Sequence, residues 1–261
     1  MKRKMQILKL GGSVITHKDG YFSPDEKNIK RLAEEIAQSK LKSLIIVHGA
    51  GSFGHPVAKK YSISDGLKSP DQLIGFSETH QSMTRLNQII VDTLLKAGVP
   101  AFGVSASSML VTRGKRLVEL DLSIIKRLIE TGLVPVLYGD AVLDTEQGFA
   151  ILSGDQLIVR LAIDLDADCI IFGSDVNGIF TSNPKTDSSA KLIEKISLNN
   201  MTADVGDTTY TDVTGGMLGK LEEAGEAVKA GVEVFFVNAL APDRVGSALR
   251  GEKVMGTILT L

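Results

Sequence analysis

The chain has 261 residues, 29 Lys and Arg against 31 Asp and Glu, and is 43% hydrophobic, enough apolar residues over enough length to bury an ordinary core without a covalent staple. Its formal net charge of −2 gives no bulk attraction for nucleic acid or an anionic membrane, so neither is expected as a partner and a small-molecule ligand is. The single cysteine, Cys169, sits in the apolar run Cys169-Ile170-Ile171-Phe172; it excludes a disulfide framework and reads as a buried strand thiol in a reducing compartment.

Met1-Lys2-Arg3-Lys4 reads as a solvated basic tip, and the apolar stretch behind it is too short for a signal peptide or a membrane span, so a cytoplasmic location is expected. Short β-branched runs then alternate with segments of helical period, the pattern of an α/β, three-layer αβα sandwich with a mainly parallel central sheet. The first strand is Gln6 to Leu10, ending at Gly11-Gly12-Ser13. A helix is predicted from Ser23-Pro24-Asp25-Glu26, with Ser23 as cap, Pro24 in the first turn and Glu26 closing a capping box; its buried face is Ile29, Leu32, Ala33 and Ile36. Leu44 to Val47 is the next strand and runs into the glycine loop His48-Gly49-Ala50-Gly51-Ser52-Phe53-Gly54-His55. Residues 70 to 97 read as helix, Pro100 to Val104 and Val134 to Tyr138 as strands, and Ser153-Gly154-Asp155 opens a helix carrying Leu157, Ile158, Leu161 and Ala162. Strand Cys169 to Gly173, a polar loop to about 200, a helix from about 215 to 230, strand Val232 to Val237 and a last strand near Val254 to Leu259 complete the chain.

Three glycine-bearing loops follow apolar strands, and a fourth, Thr214-Gly215-Gly216-Met217-Leu218-Gly219-Lys220, precedes a helix. Glycine lets backbone amides approach a phosphate, and a helix amino terminus adds favourable partial charge. Lys9 stands among Ile7, Leu8 and Leu10, where an ammonium is costly unless it points from the strand's end into a polar site. Gly49-x-Gly51-x-x-Gly54 also matches the dinucleotide fingerprint, but residues 62 to 78 offer no second strand ending in an acid, which argues against a dehydrogenase. His48 is open between a structural and a ligand role, while His17 and His80 read as surface or capping residues. Asp140, Asp155 and Asp175 each close a strand or open a helix, where capping is the plain explanation. No group of Cys, His, Asp and Glu has the spacing of a structural zinc site, so no protein metal site is expected.

Taken in order, Lys9-Leu10-Gly11-Gly12-Ser13, Gly49-Ala50-Gly51, Ser153-Gly154-Asp155, Asp175-Val176-Asn177-Gly178-Ile179-Phe180 with Asn183-Pro184-Lys185, and Gly215-Gly216-Met217 with Lys220 resemble the amino acid kinase family over essentially the whole chain. Within it, the block His48 to His55 resembles the isopentenyl phosphate kinases and their relatives the fosfomycin kinases, with His55 the distinguishing residue. The resemblance implies the amino acid kinase fold as a single domain over 1–261, with an acceptor-binding lobe at about 1–150 and a nucleotide-binding lobe at about 151–261. It implies ATP as donor, Mg2+ as the nucleotide's companion without a dedicated protein cage, isopentenyl phosphate as acceptor with fosfomycin as the alternative, and a homodimer. By the same resemblance Lys9, Lys18, Lys220, His55 and Asp155 are catalytic, Lys18 at the transferring phosphoryl group and Asp155 orienting the lysines. Nucleotide contacts are expected from Lys9, Gly11, Gly12, Ser13, Gly51, Asp175, Gly178, Ile179, Phe180, Pro184, Lys185, Gly216 and Lys220. Acceptor contacts are expected from Ala50, Gly54, His55 and Gly154. The hydrocarbon tail needs an apolar wall after the His55 loop, for which Phe76 and Met83 are the candidates.

Overall fold

Every residue of β1 (Gln6–Leu10) and of β2 (Leu44–His48) is buried, so both strands lie inside a sheet covered on its two faces. The computed structural model describes residues 5–17, 20–199 and 215–261; Lys18 and Thr214 lie outside the described residues. Around β1 and β2 the first part of the chain forms α1 (Gly12–Ile15), α2 (Glu26–Ser39), α3 (Gly51–Lys60) and the long α4 (Asp71–Lys96). Its middle forms β3 (Ala101–Gly103), β4 (Leu110–Arg113), β5 (Arg116–Leu120), α5 (Ser123–Thr131), β6 (Val134–Tyr138), β7 (Asp140–Asp144), β8 (Gly148–Leu152) and α6 (Gly154–Asp164). The rest forms β9 (Cys169–Ser174), β10 (Ile179–Phe180), β11 (Leu192–Ile193), β12 (Lys195–Ser197), α7 (Gly215–Lys229), β13 (Glu233–Asn238), α8 (Arg244–Leu249) and β14 (Gly256–Thr260).

Eight strands make one sheet in the order β12-β14-β13-β9-β1-β2-β6-β3, parallel throughout except where β13 meets β14. Side chains alternate across the pleat. Ile7, Ile45, Val47, Ile170 and Phe172 therefore pack with Leu157 and Leu161 of α6, Leu221 and Ala224 of α7, and Ile125 of α5. Leu8, Leu10, Ile46 and Ile171 pack on the other side with Ile29, Leu32 and Ile36 of α2, Leu86 and Ile90 of α4, and Val245 of α8. The result is the expected α/β sandwich, with the buried face of α2 made by the residues its period selects and Cys169 buried in β9.

Three local expectations are corrected. Ser23 does not cap α2: Asp25 does, accepting from the Asn28 amide, because Ser23 to Asp25 are held by an isolated bridge to the 15–17 segment and the helix starts only at Glu26. The block from Gly51 to His55 is no loop but the start of α3, with Pro56 inside the helix. Proline lacks the amide that would bond Ser52 O, and the Phe22 amide donates to that carbonyl instead, 3.2 Å away. The stretch to about 200 is not continuous loop either, since β10, β11 and β12 lie in it, and a second sheet, β5-β4-β7-β8, projects from the main one.

At the end of β2, His48 is wholly buried, its Nδ1 facing Gly49 O at 3.1 Å and its Nε2 facing Asn87 Oδ1 at 3.3 Å, with the ring stacked on Tyr138. Burial pushes its imidazole down to about 4 from an ordinary 6.5, and because His48 does not line the cleft described below, the structure favours the structural side of the open choice. A folded value below the unfolded one stabilises the fold above pH 6.5, and that contribution is lost as pH falls toward 4. Urea unfolding at pH 7 and 4.5 should show the wild type losing about 2–3 kcal/mol more than His48→Gln over this interval; equal losses would remove His48 as the acid-sensitive group.

Candidate active site

In an open parallel sheet, ligands sit outside the carboxyl ends of the strands. Here β1, β2, β6 and β9 end at Gly11, Gly49, Gly139 and Asp175, all of which line one cleft of about 740 Å³. Helices α3 and α6 begin at glycines on the same cleft, so their free amides and dipoles face it.

The cleft floor is backbone packed on backbone. A Cβ at Gly12 would stand 2.4 Å from the Gly51 nitrogen, and one at Gly49 would stand 2.8 Å from the Gly12 nitrogen. Gly51 adopts φ +49°, and a Cβ there would meet Thr16 Oγ1 at 2.1 Å. Thr16 fastens the two loops, donating to Gly12 O at 2.8 Å and accepting from the Ser52 amide at 3.0 Å.

Lys9 leaves β1 on the face covered by α6, its side chain only 7% exposed and its Nζ 6.0 Å from the Phe172 ring centroid. It donates to Asp155 in the first turn of α6, while Lys220 on α7 places its Nζ 3.4 Å from the other carboxylate oxygen. Gly154 lets the start of α6 sit close to the end of β2, since a Cβ there would lie 3.2 Å from the His48 carbonyl oxygen. Burial would raise the Asp155 carboxyl, but the charges of Lys9 and Lys220 outweigh it and hold it below the ordinary value. For Lys9, burial outweighs the attraction of Asp155 and lowers its pKa.

His55 sits one turn into α3, exposed to the cleft. Partial burial lowers its pKa, and the nearby charges of Lys220 and Lys9 lower it further, so the free protein favours neutral imidazole. Beyond it Ala58, Thr79, Met83 and Ile151 form a mainly apolar wall. Phe76 does not line the cleft: its ring stacks on Phe149 at 5.1 Å behind the wall, in a cluster with Ile63 and Ala141 that the wall residues Ala58 and Ile151 also join.

Of the other residues singled out by sequence, Gly11, Ser13, Ala50 and Gly54 line the cleft beside these groups, and Asp175, Gly178, Phe180, Pro184 and Lys185 line its opposite end, where Lys185 pairs with Asp175. Ile179 turns into the core, its amide donating to Thr257 Oγ1, and Gly216 lies in the first turn of α7. Sequence reading missed Thr16 and Thr79, and it misplaced His80. That imidazole is 2.7 Å from the buried Asp140 carboxylate, whose backbone turn closes β6; burial raises Asp140 and the His80 bond opposes it, while the same bond raises His80. Asp140 and His80 are 60 residues apart, beyond any local pattern.

The ion triad generates a stability prediction. Asp155→Ala strands the Lys9 ammonium in the interior and should cost about 3–5 kcal/mol in urea unfolding, whereas Lys9→Met combined with Asp155→Leu should cost clearly less. A double variant as unstable as the single would mean that charge isolation is not the cause.

The model of the amino acid kinase family matches residues 4–238. Isopentenyl phosphate kinase of Methanothermobacter thermautotrophicus is 41% identical over 98% of this chain and 99% of its own length, and that of Methanocaldococcus jannaschii is 38% identical over 97% of each. A crystal structure of isopentenyl phosphate kinase superimposes with a TM-score of 0.87 at 39% identity, covering 97% of this chain and 99% of the other. With the glycine-lined cleft, the Lys9–Asp155–Lys220 triad and the eight-stranded sheet, these likenesses place the chain in the amino acid kinase family, on the branch of the isopentenyl phosphate kinases.

Proposed function

We propose that this chain transfers the γ-phosphoryl group of ATP to isopentenyl phosphate, giving ADP and isopentenyl diphosphate. The observation that carries the reading is one continuous cleft in which paired lysines and glycine amides separate a polar end at Asp175 and Lys185 from an end with His55 before an apolar wall. Such a cleft suits two phosphates meeting in the middle, a nucleoside at one end and a short hydrocarbon at the other.

Phosphoryl transfer needs alignment and cations around the oxygens where charge spreads. Lys9 and Lys220 meet the β- and γ-phosphates, held in place by Asp155, with the amides of Gly11, Gly12, Gly51 and Gly216 around them and Ser13 alongside. The residue 151–261 lobe takes the nucleotide through Asp175, Gly178, Phe180, Pro184 and Lys185, with Ile179 contributing through its backbone. The lobe of residues 1–150 takes most of the acceptor, its phosphate reached by Ala50, Gly54 and His55 with Gly154 from across the cleft. An acceptor phosphate is already anionic near neutral pH, so the chemistry asks for no strong base, and Asp155, occupied by two ammonium groups, is not one. Lys18 completes the reading as the group at the transferring phosphoryl, on the family resemblance.

Mg2+ would enter on the nucleotide. It would keep most of its waters and be held mainly by phosphates; among the described residues no group of three or more His, Cys, Asp or Glu could hold a metal ion. When bound it neutralises phosphate charge beside the lysines. No helix among the described residues is long and apolar enough to cross a membrane. The same reading includes a cytoplasmic homodimer, for which the exposed Leu73 and Ile74 on α4 supply apolar surface.

A coupled ADP-release assay over isopentenyl phosphate, dimethylallyl phosphate, fosfomycin, UMP and N-acetylglutamate tests the acceptor, with isopentenyl phosphate expected to have the highest kcat/KM; faster turnover of UMP or N-acetylglutamate would refute it. His55→Ala should lower kcat/KM for isopentenyl phosphate by about 10- to 150-fold, the loss of one charge-assisted hydrogen bond, while KM for ATP stays near wild type. Because the free imidazole is neutral and a phosphate dianion favours imidazolium, binding should take up a proton and weaken as pH rises, and His55→Gln should abolish the uptake.

The wall makes a separate prediction. Met83→Ala should move preference toward longer prenyl phosphates, whereas Phe76→Ala should leave the chain-length profile alone and cost about 3 kcal/mol of stability, since its ring packs on Phe149 outside the cleft. A changed profile in the Phe76 variant would show that its ring shapes the pocket through the wall residues.

A further inference from the structure

Asp155 and Lys220 must be held at a set separation, yet they ride on different helices. Helices α6 and α7 share one apolar cluster, to which they give Leu157 and Leu161, and Leu221, Ala224 and Ala227, and apolar packing of this kind is non-directional. The first two turns of α7 carry Gly215, Gly216 and Gly219, which favour helix poorly. A polar device bridges both helices from outside. The β4–β5 hairpin turns through Gly114 and Lys115, both at positive φ, and the buried Asp144 accepts from their amides at 3.2 and 2.8 Å and from Thr112 Oγ1 at 2.8 Å. Gln156, the residue after Asp155, grips the same tip: it accepts from the Leu117 amide at 2.5 Å and donates to Lys115 O at 3.2 Å. Between those anchors Arg116 reaches α7 with both terminal nitrogens on the Glu223 carboxylate, one turn beyond Lys220, Nη2 at 3.2 Å.

We infer that Arg116 and Glu223 are positioning residues: their forked ion pair ties α7 to the hairpin tip that Gln156 ties to α6, and so sets Lys220 against Asp155 and the nucleotide phosphates. The inference rests on the proposed role of Lys220 as a nucleotide ligand. An isolated surface pair contributes little, but here the acid side chain is only 16% exposed and the contact is forked, which restricts α7 in rotation as well as in height. The test is calorimetric binding of a non-hydrolysable ATP analogue to the full chain, with isopentenyl phosphate titrated separately, for Arg116→Glu, Glu223→Arg and the charge-swapped double variant. Each single variant should weaken the analogue by about 3- to 20-fold with the acceptor's Kd unchanged, and the swap should restore most of the loss. Wild-type analogue affinity in the singles, no recovery in the swap, or an equal fall in both ligands with a fall in Tm would overturn the inference. The binding readout needs no turnover, so failure of the wild type to phosphorylate isopentenyl phosphate would bear on the proposed acceptor alone.

Discussion

An ammonium in the middle strand of a sheet buried on both faces is the constraint around which this structure is arranged. Lys9 is almost wholly buried at the edge of the cleft, where Asp155 pairs with it, and the pair holds the start of α6 against the carboxyl end of the sheet. Sharing one carboxylate with Lys220 keeps that acid ionised and brings two ammonium groups together on the cleft. An incoming polyphosphate would meet both of them there.

The glycine loops serve the same end by steric means. Gly12, Gly49 and Gly51 let two chain segments touch through backbone alone, and Thr16 fastens them, so amides that side chains would otherwise cover are presented to the cleft. Pre-set amides need no reorganisation when charge arrives, which is how such a floor favours an anion over water.

Three histidines show how little residue type decides by itself. His48 is sealed beneath the cleft and held neutral by burial; His80 is drawn upward in pKa by a buried aspartate; His55 faces the cleft with its proton affinity lowered by burial and by lysines. Only the last combines access to the cleft with a charge state that an arriving phosphate could change.

The amino-acid sequence alone determined the central strands and the long helices, because β1, β2, β6 and β9 are short runs dominated by apolar residues and α2 repeats its apolar face with helical period. It also marked Lys9, the glycine turns and Asp155, since a charge in an apolar strand and glycines at strand ends are local anomalies. Tertiary structure decided what depends on partners distant in sequence. The helix at Gly51 forms despite two glycines and a proline because Phe22 satisfies the carbonyl that Pro56 leaves free. Phe76 and Met83, seven residues apart on α4, part company because one faces Phe149 and the other the cleft, and the small sheet exists because the local β4–β5 and β7–β8 pairs meet at Thr112 and Asp144, a pairing that no short window of sequence contains. Local pattern reports burial and turn chemistry; which buried groups meet is settled by the packing of the whole chain.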